Sequence, residues 1–400
     1  MALLETEDVL KRGVEEIIIE KEFVEKLDSG KSLRLKMGFD PSAPDIHLGH
    51  AVGLRKLRQL QELGHKVVLI VGDWTAQIGD PSGRSQTRNM LSAEEVNANA
   101  QTYLDQFFKI VDRDRTEIRL QSEWFGPFSL ANVIELTSKF TVAQILARDD
   151  FAKRFNENQP IAITELLYPL LQAYDSVAIK SDVEFGGSDQ RFNLLVGREL
   201  QQSEGMKPQQ CFIMPLLPGT DGVQKMSKSL GNYIGIDEPA NEIFGKVMSI
   251  PDSMIGHYYE WLTDVPTKEV SEIKQSLEND SADAMDLKKR VAKLLVSEYH
   301  DTDSAETAQT FFEKTIQGNE LPDDIQEYNL KTDLSQKGLR LSNILTNSGI
   351  TSSTGEARRL IEQGAIKLDN ETVTSNLDSN ELTKGVLRIG RRRYLSLIHI

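Results

Sequence analysis

Between residues 33 and 71, an alternating run and a short continuous apolar run flank a helical stripe, and few folds accommodate that order. Leu33, Leu35, Met37 and Phe39 alternate with polar neighbours, the period of a strand. Leu48, Val52, Leu57, Leu60 and Leu63 recur at helical spacing and stop at Gly64, a residue suited to a helix C-terminus. Val67 to Val71 is then continuously apolar, as expected of a strand covered on both faces. Strand, helix and strand in this order predict an α/β fold with a doubly wound, Rossmann-like parallel sheet.

The texture returns further on. From residue 176, SVAIKSDVEF reads as a strand that turns at Gly186-Gly187 into a helix with Phe192, Leu195, Val196 and Leu200 on one face. Cys211 to Leu217 is another apolar run, leading into the loop PGTDGVQKMSKSLGN. Residues 8–28 show helical spacing, and residues 84–165 are polar and helical in pattern, as in an insertion. Residues 238–315 again read as helices, and 316–335 as a polar linker. The predicted organisation is a catalytic domain over 1–235 with a helical insertion at about 84–165, a helical domain over 236–315, a linker over 316–335, and a small α+β module over 336–400.

Composition narrows the function. With 400 residues, 39% hydrophobic and 27% charged, the chain can bury a sizeable core. One cysteine excludes a disulfide framework and a cysteine-rich zinc site, as in a reducing compartment. The opening MALLETEDVLKRGVEE carries acids where an export signal needs an apolar core, and no run is long enough to span a bilayer, so a cytoplasmic location is expected. Net charge is −15, yet residues 331–400 hold eleven Lys/Arg against seven Asp/Glu, which leaves −19 on residues 1–330. A basic end on an acidic body fits a dedicated nucleic-acid module. An ordinary basic terminus would carry the same charge.

His47 and His50 flank Gly49 in DPSAPDIHLGH (residues 40–50), between the first strand and the first helix. They could be half of a metal site, two surface histidines, or donors to a phosphate. No neighbouring histidine or cysteine completes a zinc set. Beyond the carboxyl end of a parallel strand and at a helix N-terminus, a polyphosphate is the natural guest, and Gly49 lets it approach the backbone. A second signal is Lys225-Met226-Ser227-Lys228-Ser229, in a glycine-flanked loop after a strand. Two lysines on a loop are usually only solvated. Together with the histidines they would clamp one triphosphate.

With His-x-Gly-His and Lys-Met-Ser-Lys-Ser in this order, the chain resembles the class I aminoacyl-tRNA synthetases. Tyr168, Gln172 and Asp175 lie at i, i+4 and i+7 of YPLLQAYD, on one helical face; Pro169 must lie in the first turn of that helix or kink it. This segment, with IGDPSGR (78–84) and GGSDQ (186–190), is similar to the amino-acid pocket of the bacterial tyrosyl-tRNA synthetases. The resemblance extends from GFDP at 38–41 to the terminal module. It implies that Asp80, Tyr168 and Gln172 hold a substrate ammonium group, that Asp175 meets a phenolic hydroxyl, and that Gln190 lines the ring. It places Gly187 and Asp189 at the ribose, Asp40 and Gly49 on the nucleotide side, and His47, His50, Lys225, Lys228, Arg84 and Arg88 near the pyrophosphate. ATP would arrive with Mg²⁺, without a dedicated protein metal site. Many family members have tyrosine two positions before the Gly-Phe-Asp-Pro run, where this chain has Lys36.

RLSNILTNSGI (340–350) and GEARRLIEQGAIKLDN (355–370) resemble the S-four-type RNA-binding module. Arg358, Arg359, Lys367, Arg391, Arg392 and Arg393 are its expected phosphate contacts. The family further implies tRNA(Tyr), L-tyrosine and ATP as partners, and a homodimer whose contacts involve the 84–165 insertion. Three rivals stand beside this reading. A tryptophan-activating relative would normally lack the appended module. An idle RNA-binding protein would not need both lysines. A small adenylyltransferase using His-x-Gly-His would explain neither the length nor the basic end.

Overall fold

The computed structural model describes residues 6–41, 46–80, 92–279, 281–317, 325–330, 339–369, 371–390 and 393–398. By compactness they fall into two units, one of residues up to 238 with 249–291, the other of 239–248 with 292 onward.

The first unit is built on a six-stranded sheet in the order β1-β6-β5-β2-β3-β4. Its strands are β1 (Glu16–Ile18), β2 (Arg34–Phe39), β3 (Lys66–Val71), β4 (Thr116–Leu120), β5 (Val183–Gly187) and β6 (Gln210–Met214). All pairings are parallel except β1 against β6. The chain winds outward through β2, β3 and β4, then returns to the other side of β2 with β5 and β6. The order therefore reverses between β2 and β5, where open α/β sheets bind their ligands beyond the carboxyl ends of the strands.

Four helices bear on that crevice: α1 (Leu48–Glu62), α2 (Ala93–Phe107), α3 (Ile163–Ala178) and α4 (Arg191–Ser203). The predicted β2-α1-β3 unit is present, and α1 is followed by Gly64 at φ +97°. Leu200 of α4 and Ala173 of α3 are fully buried in one apolar cluster with Phe151. Large side chains buried in this way contribute about 1.5–3 kcal/mol each.

Several expectations need correction. The segment from 176 is strand only over 183–187, because Ser176 to Ala178 complete α3. Residues 8–28 form two short helices with β1 between them. The 84–165 region is mostly helical where described, but it also supplies β4. That strand's charged TEIRL sequence, only partly buried at the sheet edge, carries no buried-strand signal. Pro169 lies inside α3, past its first turn, where it cannot donate to the carbonyl of Glu165.

The stretch 236–315 is helical but divided between the units. The Arg12 guanidinium donates to the carbonyls of Tyr259, Glu260, Thr263 and Val265. Arg55 and Arg58 both reach Asp264. These bonds fasten 259–265 to the first unit.

In the second unit, β7 (Glu327–Asn329), β8 (Ile366–Leu368), β9 (Glu371–Thr372), β10 (Gly385–Ile389) and β11 (Arg393–Ile398) form a sheet in the order β7-β11-β10-β8-β9. Helices α5 (Leu341–Asn347) and α6 (Thr354–Glu362) share its core, in which Leu341, Ile344, Ile366 and Leu387 are fully buried. Strand β7 comes from the expected linker and pairs with β11. Three residues are too few to show a period.

Candidate active site

The turn after β2 and the first turn of α1 set the histidines. His47 is the N-cap residue, in extended conformation, and its Nδ1 accepts the Gly49 N–H at 3.1 Å. His50 Nδ1 accepts the His47 N–H at 3.3 Å, and the two rings stack with centroids 3.9 Å apart. Each histidine thus uses one nitrogen as an acceptor for helix-end donors that would otherwise be unpaired. An imidazole that accepts at Nδ1 carries its proton on Nε2. Burial, followed by His50 and Lys228, holds His47 well below the ordinary histidine range. Desolvation within the cavity wall, then Lys228, brings His50 to about 4, although this residue keeps access to solvent. At neutral pH both are neutral N–H donors; the fixed positive charge comes from lysine.

The lysine loop is held to the same helix end. Leu48 N–H donates to the Ile234 carbonyl and Ile236 N–H to the Ile46 carbonyl. Within the loop, Asn232 Oδ1 accepts the Ser227 N–H at 2.8 Å while its Nδ2 donates to Asp221 at 2.7 Å. Gly231 closes the turn at φ +69°. Lys225 Nζ lies 2.9 Å from Asp189 Oδ2, and Lys228 Nζ lies 5.7 Å from the centroid of the Tyr233 ring.

Another part of the lining supplies hydrogen-bond acceptors. Tyr168 donates its hydroxyl proton to Asp40 Oδ2 at 2.9 Å, which leaves its oxygen to accept. Burial and the neighbouring Asp40 and Asp80 keep this phenol neutral by raising its pKa well above the usual value. Gln190 Nε2 donates to Asp80 at 2.7 Å. Asp175 accepts from Gln121 Nε2 at 2.9 Å and Trp124 Nε1 at 3.0 Å. Burial pushes its carboxyl up to about 7, against the opposing pull of Lys36 and of these two donors.

Asp40, His47, Gly49, His50, Asp80, Tyr168, Gln172, Asp175, Gly187, Asp189, Gln190, Lys225 and Lys228 all line one cavity of about 460 Å³. Arg84, Arg88, Arg391 and Arg392 lie outside the described residues. In the second unit Arg358, Arg359 and Lys367 are exposed, whereas Arg393 is engaged with the Ile350 carbonyl at 2.6 Å and Glu356 at 3.2 Å.

Sequence reasoning missed Gln121 and Trp124. They follow β4 directly, so recognising that strand would have directed attention to the residues beyond its carboxyl end. It also missed the partner of Lys36. That side chain is outside the cavity lining and pairs with Glu184 at 2.9 Å, both being almost fully buried. Among the described residues, no group of three or more His, Cys, Asp or Glu side chains could hold a metal ion, and no helix is long and apolar enough to cross a membrane.

Comparison with known proteins agrees with the geometry. The family model for class I tRNA synthetases (W and Y) matches residues 28–317, and an S4 domain matches 339–377. The tyrosine–tRNA ligase of Dehalococcoides mccartyi (strain CBDB1) is 57% identical over 98% of both chains. That of Francisella tularensis subsp. tularensis is 48% identical over 99% of both. The fold is shared with the crystal structure of tyrosyl-tRNA synthetase from Archaeoglobus fulgidus complexed with L-tyrosine, at TM-score 0.60 and 24% identity over 76% of this chain and 99% of that one. With a family match across most of the chain and relatives about half identical along nearly its whole length, the chain belongs to the class I tRNA synthetases, among the tyrosine–tRNA ligases.

Proposed function

We propose that the cavity activates L-tyrosine with ATP and passes the product to tRNA(Tyr). A tyrosine carboxylate oxygen forms a bond to the α-phosphorus, the bond from that phosphorus to the β-phosphate oxygen breaks, and pyrophosphate leaves. The acyl group then moves to the terminal ribose of the tRNA. The carboxylate is ionised at neutral pH and needs no general base. The protein has to align the reactants and absorb charge on the leaving group.

One observation carries this reading: the paired histidines and the lysine loop, more than 170 residues apart in sequence, line the same cavity as the hydrogen-bond acceptors. His47 and His50 serve as neutral donors to phosphate oxygens, and Lys225 and Lys228 as cations, with Arg84 and Arg88 assigned to the pyrophosphate by resemblance. Mg²⁺ arrives as part of the ATP complex. Asp40 and Gly49 face the nucleotide, and Gly187 and Asp189 the ribose. An ammonium group has three N–H donors, and Tyr168 Oη, the Gln172 amide oxygen and the Asp80 carboxylate are three acceptors. Asp175 receives the phenolic hydroxyl, and Gln190 borders the ring.

Residues 1–235 act as the catalytic domain in this reading, 236–315 as a helical domain, 316–335 as a connection, and 336–400 as the RNA-binding module. The gap between the two family matches, residues 318–338, supports the connection alone, since the synthetase match runs unbroken from 28 to 317. Arg358, Arg359 and Lys367 meet RNA phosphates, together with Arg391 and Arg392; Arg393 contributes less because it is tied internally. The protein works in the cytoplasm as a homodimer. Leu130, Ile134, Val142, Phe155 and Ile163 support the dimer, since each is a large apolar side chain at least 59% exposed, within the 84–165 insertion.

ATP–pyrophosphate exchange measured with each of the twenty amino acids tests the assignment. Exchange with tyrosine alone is expected. Exchange with tryptophan instead, or with none, would replace it by one of the rivals.

A further inference from the structure

Lys36 and Glu184 are register partners on the adjacent parallel strands β2 and β5, at the point where the strand order reverses. Their side chains leave the same face of the sheet and meet α3. The Lys36 ammonium has three N–H donors and three acceptors: Glu184 Oε1 at 2.9 Å, Ser176 Oγ at 2.8 Å and the Gln172 carbonyl at 2.8 Å. Glu184 also accepts from Gln172 Nε2 at 3.1 Å, from Ser176 Oγ at 3.1 Å and from Gln209 Nε2. Lys36, Ser176 and Gln209 are 0% exposed and Glu184 1%.

Stability is a poor explanation for such a network, because well-packed apolar residues in place of a buried ion pair are often neutral or stabilising. Its point of contact with the cavity is Gln172, the one member that lines it. A carboxamide has a donor end and an acceptor end, and rotation by half a turn exchanges them. A carboxylate only accepts, so Glu184 requires the Gln172 nitrogen on its side and leaves the oxygen for the cavity.

We propose that Lys36 and Glu184 are positioning residues that lock the Gln172 amide with its oxygen toward the substrate, so that the pocket selects an amino acid by its ammonium group. Lys36 holds Glu184 in place and pins the backbone carbonyl of Gln172, while Glu184 fixes the side-chain end. This rests on the reading of Gln172 as an ammonium ligand.

The test compares two ligands that differ only in the amine, tyramine and 4-ethylphenol, as competitors of tyrosine in pyrophosphate exchange by the full-length protein. Glu184→Gln presents either end of an amide to Gln172 and removes the constraint. The double variant Lys36→Met/Glu184→Leu removes it without leaving a buried unpaired charge, which keeps the test open if the single variant folds poorly. In each folded variant the affinity for tyramine is expected to fall about tenfold or more, with 4-ethylphenol within about twofold. Equal losses for both ligands, or an unchanged ratio in the double variant, would overturn the proposal. Gln172→Ala serves as the control. If it leaves the ratio of the wild-type protein unchanged, the assignment of Gln172 itself is wrong and the proposal falls with it; if only the Lys36 and Glu184 variants leave the ratio unchanged, the ammonium site stands and the positioning role is rejected.

Discussion

Lys225 Nζ and Asp189 Oδ2 meet at 2.9 Å on the wall of the cavity, with both side chains partly open to solvent. A pair of this kind is worth about 0–1 kcal/mol, so an arriving nucleotide can replace it at little cost. The ribose hydroxyls would donate to Asp189, and the displaced lysine would turn to the phosphates. Asp189→Asn would remove the charged acceptor proposed for the ribose. The Michaelis constant for ATP is expected to rise about tenfold or more, while tyrosine binding measured by calorimetry without ATP stays within about twofold. A comparable loss of tyrosine affinity would remove Asp189 from the nucleotide side.

With both histidines held below the ordinary range, positive charge at the leaving group comes, in the proposed reading, from the lysine loop with Arg84, Arg88 and the Mg²⁺ of the ATP complex. Lys228 rests against the Tyr233 ring, at 5.7 Å from its centroid, and lines the cavity with His47 and His50. Lys228→Ala should slow adenylate formation in single-turnover experiments by about two to three orders of magnitude. The dissociation constant for tyrosine should change little, because a contact of Lys228 with the leaving group would strengthen only as charge builds there. An unaltered chemical step would exclude Lys228 from catalysis.

The parts of this site legible in the sequence were those with a local pattern. The alternation before Asp40, the helical stripe after His50 and the glycines around Lys225 each announce their own element. Lys36 shows why the rest was not. Alternation put it on the polar face of its strand, yet both faces of a parallel sheet are covered, and its partner Glu184 lies 148 residues further on. Gln121 and Trp124 were hidden by a similar cause. They act from beyond β4, an edge strand whose charged residues are half-buried and so lack the apolar run that marks β3.

Asp175 carries a pH signature. Its carboxyl is raised from the ordinary range to about 7, with burial as the largest cause, so the folded state binds a proton that the unfolded state has already released. The stability present at acid pH is therefore lost as pH rises from about 4 to about 7. Asp175→Asn does not titrate. The difference in thermal midpoint, variant minus wild type, should become more favourable to the variant between pH 5 and pH 8, whatever its starting value. At pH 8, where the wild-type carboxyl is mostly ionised, the same substitution should reduce the preference for tyrosine over phenylalanine by about tenfold or more if Asp175 is the acceptor for the hydroxyl. A pH-independent difference would contradict the raised carboxyl, and an intact preference would assign the hydroxyl to another group.

The division of labour between the two family matches can be tested by truncation. A chain ending at residue 325 retains the whole synthetase match, which stops at 317, and removes β7, β11 and the apolar core around Leu341 and Leu387. Nothing that lines the cavity is lost, since all its described lining residues precede 230. Tyrosine-dependent pyrophosphate exchange is therefore expected to stay within about twofold of the full-length rate. Charging of tRNA should fall by about a hundredfold or more, because the residues proposed to contact phosphates are removed together. The full-length enzyme should also lose charging efficiency steeply as salt is raised, while the residual charging by the truncated form should depend on salt only weakly. Full charging by the shortened chain would mean that the basic residues after 340 contribute nothing that the catalytic body does not already supply.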